Sequence, residues 1–224
     1  MIAKLRLFAA LAAMLLPGAA ALAQDRASDE ASAPRSEAAE APSAQAMTSA
    51  AATVGRLHEG LVEVAARHGD DPVGVRYDAL LPIVTATHDL PYIAELSIRR
   101  EWRELTDAER DRFVDAFVRL SVATYASRFA GLEAGMFSLG GAEPLPGGRV
   151  QVGATLETRA GETIPFEYVL HETADGWKIV NILADNVSDL ALKRAEYRRL
   201  LTDGTVDDVI AELERQAAEQ MSAD

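Results

Sequence analysis

The hydrophobic pattern of the chain changes its period near Gly131, and this change limits the fold more than any other feature. Before Gly131, apolar residues recur at the three- and four-residue spacing of helices that bury one face. After Gly131, apolar and polar residues alternate, as they do in half-buried strands. Helical spacing returns after Ser188. Helices before and after a block of strands predict an α+β fold.

Four helical segments are predicted before the change of period. They cover Met47–Ala66, a shorter piece around Val75–Ile83, a segment that opens at Asp89-Leu90-Pro91 and runs through Ile93, Leu96, Ile98 and Trp102, and about Asp107–Ala130. The last of these begins at Thr106-Asp-Ala-Glu109, a capping box in which each end residue satisfies a free backbone amide of the other. Two further helices are predicted after the strands, from Ser188 to about Leu201 and from Thr205 to about Gln220.

About four strands are predicted between the two helical blocks. They lie at Met136–Leu139, around Val150–Leu156, around Ile164–Leu170 and at Trp177–Ala184. Ala160-Gly161 and Asp175-Gly176 are turn signals, so the strands are expected to pair as antiparallel hairpins. The last strand is apolar on both faces, which is typical of a central strand or one that faces a cavity. A curved sheet with helices on its concave face encloses a cone, where an apolar ligand can bind.

The N-terminal 45 residues are predicted to precede the folded domain. Residues 1–23 combine a basic start, an apolar run and the small residues Ala21 and Ala23, which is the pattern of a cleaved secretory signal peptide. Residues 24–45 are rich in Ala, Ser, Glu and Pro, and they contain no aromatic or β-branched residue. Such a segment buries too little to offset its ordering entropy, so a disordered tether is expected. Residues 46–224 then form a single α+β domain, exported and soluble.

Charge and cysteine content exclude several classes of function. The chain carries 22 Lys and Arg against 35 Asp and Glu, a formal net charge of −13. This balance argues against nucleic acid as a partner, because phosphate binding needs a basic surface. It also argues against a protein held on an anionic membrane by charge alone, so that only transient membrane contact is expected. The chain has no cysteine, which excludes disulfides, thiolate metal sites, cysteine nucleophiles and thioether lipid anchors.

Residues that could perform catalysis are few. The sequence contains none of the common hydrolase, zinc-protease or nucleotide-binding motifs. Its histidines lie outside metal-ligand spacing of one another, so neither a metal nor another cofactor is predicted, although His88 or His171 could still act in a cavity. The histidines are His58, His68, His88 and His171.

One stretch resembles a known family. Trp177-Lys-Ile-Val-Asn-Ile-Leu-Ala-Asp-Asn-Val-Ser188 is similar to the signature of the MlaC (toluene-tolerance) family of periplasmic lipid carriers, with Asn181 where Asp is usual and Asn186 where Gly is usual. The resemblance continues through Asp89-Leu90-Pro91, Trp102, the Thr106 cap and Tyr197, and covers roughly residues 47–220. Two segments, Ser121–Phe129 and Ser188–Tyr197, look closer to the hopanoid-associated HpnM branch.

The resemblance implies an NTF2-like α+β cone with an apolar cavity for lipid chains. It implies a periplasmic carrier that shuttles phospholipid or hopanoid-type lipid between an inner-membrane transporter and an outer-membrane lipoprotein complex, with no catalytic residue and no cofactor. Periodicity and the resemblance together predict the residues that line the cavity. They are Trp102, Phe113, Phe117, Tyr125, Val152, Leu156, Phe166, Tyr168, Ile179 and Leu183.

Two alternatives remain open at this point. The same kind of cone could hold an enzyme that uses acid–base groups, for which the chain offers Tyr125, Tyr168, His171 and Asp185. The aromatic residues could instead fill a solid core, as they do in a non-catalytic periplasmic interaction protein. An apolar side chain on a periodic face is compatible with either a cavity lining or a solid core.

Overall fold

The computed structural model describes residues 41–222. The helices of this part are α1 (Ala44–His68), α2 (Val73–Thr87), α3 (Leu90–Ser97), α4 (Asp107–Arg128), α5 (Asp189–Leu201) and α6 (Val206–Met221), with a 3₁₀ turn at Glu101–Glu104. The strands are β1 (Phe137–Leu145), β2 (Arg149–Glu157), β3 (Thr163–Thr173), β4 (Gly176–Ala184) and β5 (Val187–Ser188). The predicted signal peptide and residues 24–40 of the predicted tether lie outside the described residues.

The strands form one antiparallel sheet in the order β1-β2-β3-β4-β5. This confirms the predicted α+β class and the hairpin connections. Gly161 and Gly176 adopt the positive φ angles, 77° and 97°, that the predicted turns require. The sequence predicts about four strands, and the structure adds β5, whose two residues pair with the end of β4.

The predicted starts of α3, α4, α5 and α6 agree with the structure. Helix α1 begins at Ala44, inside the predicted tether and before the predicted Met47, and α2 begins at Val73 rather than Val75.

Glu109 N–H donates to the Thr106 hydroxyl at 3.4 Å, and Thr106 N–H donates to the Glu109 carboxylate at 2.8 Å, which completes the capping box of α4. The Thr106 hydroxyl, 2.6 Å from the Glu109 carboxylate, and the Thr106 N–H both lower the pKa of Glu109, because each donates to its charged form. Asp89 caps α3 by accepting a hydrogen bond from Tyr92 N–H at 3.2 Å.

The prediction that the third helix reaches Trp102 is wrong. Helix α3 ends at Ser97, and Ile98 leaves the helical conformation at φ −126° and ψ 35°. Trp102 lies instead in the 3₁₀ turn, with its ring edge against Phe113 at 6.3 Å and the Arg110 guanidinium 5.6 Å from its centre. These contacts hold the Trp102 indole against α4. The chain leaves the path of α3 after Ser97 to place it there.

The turn from β4 to α5 uses two left-handed residues, Asp185 at φ 50° and Asn186 at φ 63°. Asp and Asn are the non-glycine residues that tolerate this conformation best. Asn186 therefore adopts the left-handed conformation at a position where the family pattern has glycine, as the sequence predicts.

The helices and the sheet share one contiguous core. Helix α1 packs on β1, β2 and β4, α2 packs on α1 and α4, and α6 packs along α4. Phe113 is fully buried at the centre of the helical part, in ring contact with Trp102, Phe117 and Tyr197.

Phe113→Ala is expected to lower the free energy of unfolding by about 3–5 kcal/mol, because it leaves a cavity among three aromatic rings. Urea unfolding measures the change. Val75→Ala, at a position that is 42% exposed, is the matched control and should change stability by less than about 0.5 kcal/mol. An equally small loss for both variants would contradict the central position of Phe113.

Candidate functional site

A cavity of about 570 Å³ lies between β4 and helices α3, α4, α5 and α6. Pockets that enclose small ligands span about 300–1,000 Å³, so this one is large enough to hold a ligand. Helix α4 contributes a stripe of residues at helical spacing, and β4 contributes four successive residues, Ile179 to Ile182.

The inner wall of the cavity is apolar and buried. We define it by Leu90, Ile93, Phe117, Leu120 and Ile179, none of which is more than 8% exposed. Leu190 and Leu192 extend this apolar surface along the first turn of α5. A ligand against this wall would be shielded from water, which favours an apolar group.

The outer side of the cavity is polar. Its residues come from α5 and α6 and include Lys193, Glu196, Arg199, Glu212 and Glu219. The cavity therefore joins an apolar inner wall to a charged outer side, an arrangement that matches an amphiphilic molecule.

A hydrogen-bonded pair of aromatic residues stands at the cavity wall. The Tyr125 hydroxyl lies 3.1 Å from His88 Nε2, and His88 Nδ1 lies 3.1 Å from the Val84 carbonyl oxygen. Because the carbonyl oxygen can only accept, Nδ1 carries the proton and Nε2 accepts from Tyr125. Burial lowers the pKa of His88 to about 4 and raises that of Tyr125. At neutral pH the pair is uncharged.

A second pair of the same kind lies behind the first. His58 Nε2 of α1 lies 2.9 Å from the Tyr168 hydroxyl of β3, and the His58 ring stacks on Phe137 with a centroid distance of 3.9 Å. Burial lowers the pKa of His58 to about 4 and raises that of Tyr168. Both pairs satisfy polar groups inside the core without placing a charge there.

The four residues that could serve an enzyme are not brought together. Tyr125 lines the cavity, but Tyr168 is bonded to His58 and is absent from the lining. His171 lies 2.8 Å from the Asp89 carboxylate and stacks on Tyr92, and Asp185 is exposed in the β4–α5 turn. Within residues 41–222, no group of three or more acidic or histidine side chains is placed to hold a metal ion.

The ten residues predicted to line a cavity fall into separate places. Phe117, Tyr125 and Ile179 lie around the cavity described above, and Leu183 lies next to its lining residue Ile182. Trp102 borders a surface groove with Pro91, Arg110 and Val114. The others are buried in the core and are not lining residues: Phe113, Val152, Leu156, Phe166 and Tyr168.

Sequence reasoning missed several residues around the cavity, among them Ser121, Thr124 and Arg128 of α4. They share one face of the helix with Phe117 and Tyr125. Small polar residues within an otherwise apolar stripe are the signal that could have indicated a space there rather than a packed contact.

Asn181 holds the start of α5 against β4. Its side-chain oxygen accepts hydrogen bonds from Leu190 N–H at 3.2 Å and from the Ser188 hydroxyl at 3.1 Å, and the Ser188 hydroxyl in turn accepts from Ala191 N–H at 3.1 Å. A carboxylate can accept the same bonds. Asn181, which stands where the family pattern has Asp, therefore accepts hydrogen bonds that an aspartate could also accept.

The model of a family described as "MlaC protein" matches residues 57–215, well over half of the chain. Among solved structures, a phospholipid-binding protein from Ralstonia solanacearum, solved in complex with a phospholipid, has a similar fold, with a TM-score of 0.68. The match covers 76% of this chain and 98% of that protein at 16% identity. No curated protein sequence matches the chain.

Asn181→Leu is expected to lower the free energy of unfolding by about 1–3 kcal/mol, because two donors lose a half-buried acceptor. Asn181→Asp, the matched variant, should stay within about 0.5 kcal/mol of the parent, because a carboxylate accepts the same bonds and is favoured at a helix N-terminus. Urea unfolding at pH 7.5 compares them. Equal losses in both variants would mean that these bonds do not hold α5.

The free energy of unfolding should fall as pH drops from 6.5 towards 4. The pKa of His58 and His88 is about 4 in the folded chain and 6.5 when unperturbed, so the unfolded chain binds more protons in this window. Each histidine contributes a slope of at most about 1.4 kcal/mol per pH unit. Urea unfolding between pH 6.5 and 5.5, above the carboxylate range, measures it.

His88→Gln is the comparison for that pH series, since glutamine keeps a polar partner for Tyr125 but does not titrate. Its slope should be about half that of the parent. Identical slopes in the two proteins would contradict the neutral, buried state of His88.

Proposed function

The chain belongs to the MlaC protein family, and from this premise we propose that it is a lipid carrier that encloses the apolar part of its ligand in the cavity beside β4. The observation that carries the proposal is the division of that cavity into a buried apolar inner wall and a charged outer side. Acyl or isoprenoid chains fit the first surface and a polar head group fits the second. Phospholipid and hopanoid-type lipid are the two candidate ligands.

The energetics of lipid transfer explain why such a carrier needs a cavity and little else. Each methylene removed from water gains about 0.8 kcal/mol, so a sixteen-carbon chain is stabilised by about 10 kcal/mol in an apolar site. A free lipid therefore crosses an aqueous compartment slowly. A dry inner wall lowers that barrier, and release requires a partner that opens the cavity or offers a better one.

Three observations support a carrier over an enzyme. The histidine and tyrosine at the cavity are bonded to each other and uncharged at neutral pH, so neither is poised as a strong base. The other acid–base candidates lie elsewhere. The similar Ralstonia protein also points to lipid as the ligand, since it was solved with a phospholipid.

The sequence and the family support a location and partners for the carrier. We propose that the mature protein is periplasmic, since residues 1–23 have the pattern of a secretory signal. Among residues 41–222, no helix has the length and apolarity needed to cross a bilayer. We propose that the protein exchanges lipid with an inner-membrane transporter and an outer-membrane lipoprotein complex, with transient membrane contact.

Lipid extraction and native mass spectrometry of protein purified gently from the periplasm test the proposal. We expect a bound lipid, whose mass distinguishes a phospholipid from a hopanoid. Ser121→Trp should lower lipid occupancy at least tenfold because the indole occupies the cavity, while Ser121 itself makes only a hydrogen bond to the Phe117 carbonyl.

Arg119→Trp is the control for that variant, because Arg119 is exposed on the same helix and does not line the cavity. It should bind as much lipid as the parent. Parent protein that carries no lipid, and takes none from vesicles, would overturn the carrier proposal.

A further inference from the structure

Arg128, the last residue of α4, places an unsatisfied donor in the cavity wall. Its Nε is buried, and no protein atom among the described residues accepts a hydrogen bond from it. Buried donors normally have a partner, because leaving one unpaired costs stability. A cation in this state inside a ligand cavity is therefore a candidate for ligand recognition.

The nearby carboxylates are already occupied by other groups. Asp189, whose charge acts on Arg128, binds the Lys193 ammonium with both oxygens at 2.7 and 2.8 Å. Arg128 therefore faces an acid that another cation has neutralised.

The acids on the outer side are engaged as well. Arg215 binds both Glu212 and Glu219, and Gln216 donates to Glu196 at 2.6 Å. None of these carboxylates forms an ion pair with Arg128, although the chain has a net charge of −13.

Two neighbouring side chains of α4 already donate their hydroxyl protons within the protein. Thr124, one turn earlier on α4, donates its hydroxyl to the Leu120 carbonyl at 2.8 Å, and the Tyr125 hydroxyl is committed to His88. Among the α4 residues that line the cavity, Arg128 is the only charged one. Burial removes part of the Arg128 guanidinium from water and lowers its pKa, and an anionic partner would favour the charged form.

On the basis of the proposed carrier function, we propose that Arg128 binds an anionic group of the carried lipid, a phosphate ester or a carboxylate, within the cavity. The planar guanidinium can donate two parallel hydrogen bonds to either group. The neighbouring apolar wall then holds the chain attached to it. Arg128 therefore makes the carrier selective for acidic amphiphiles over uncharged ones of the same chain length.

Three single-chain probes test this selectivity on delipidated protein: hexadecyl phosphate, hexadecanoate and hexadecan-1-ol. The parent should bind one or both acidic probes about tenfold or more tightly than the alcohol, because hydrogen bonds between charged groups are the strong ones. The better acidic probe identifies phosphate or carboxylate as the source of the anion. Arg128→Gln should bind the acids and the alcohol with similar affinity, and Arg128→Lys should keep a reduced preference.

Arg119→Gln is the matched control, since it removes the same charge from an exposed position of the same helix and should keep the parent's preference. Thermal unfolding adds an independent readout. Arg128→Gln should melt at the same temperature as the parent or higher without lipid, because it removes an unpaired, partly buried charge.

The outcomes separate this inference from the carrier proposal. An Arg128→Gln protein that keeps the parent's acid-to-alcohol ratio, or that melts well below the parent, overturns the role of Arg128 and leaves the carrier intact. A parent that binds none of the three probes and no vesicle lipid overturns the carrier proposal itself.

Discussion

The architecture depends on covering strand β4, which carries apolar side chains on both of its faces. Helices α1, α2, α3 and α5 all contact this strand, and they come from both ends of the described chain. The register between β3 and β4 shifts between Val169 and Leu170. That shift brings four successive residues of β4 to the cavity, whereas a regular strand would offer every second one.

The cavity lies at β4 because the last helices cross the strand without filling the space behind it. Helix α5 buries only Leu190 and Tyr197, and it is held at its start by Asn181 and Ser188 of β4 and β5. Arg194 adds one bond from the helix to the Leu96 carbonyl at 2.8 Å. A helix fixed by polar contacts at a few points can form a wall without packing solidly against the apolar surface opposite.

The two histidine–tyrosine pairs fit this plan. They satisfy polar groups close to the inner wall while keeping it uncharged, which preserves the low polarity that an apolar chain needs. Arg128 is the exception near this wall, because its buried Nε has no hydrogen-bond partner among the described residues. In the proposed carrier, the apolar wall accounts for binding in general and Arg128 for selection among lipids.

Several features of the fold follow from the sequence alone. They are the order of helices and strands, the capping box at Thr106, the turns at Gly161 and Gly176 and the left-handed conformation of Asn186. Each depends on residues that are neighbours in the chain, so local conformational preferences decide them. The end of the third helix does not follow from the sequence alone, because Trp102 is positioned by Phe113 and Arg110 of another helix.

The lining of the cavity was decided only in the tertiary structure. Phe113 and Phe117 have the same apolar periodicity, yet one is enclosed by three rings and the other borders the cavity. Periodicity determines which face of an element is turned inward. Whether that face meets side chains or a space depends on how far the opposing element stands from it, and that distance is set by the packing of the whole fold.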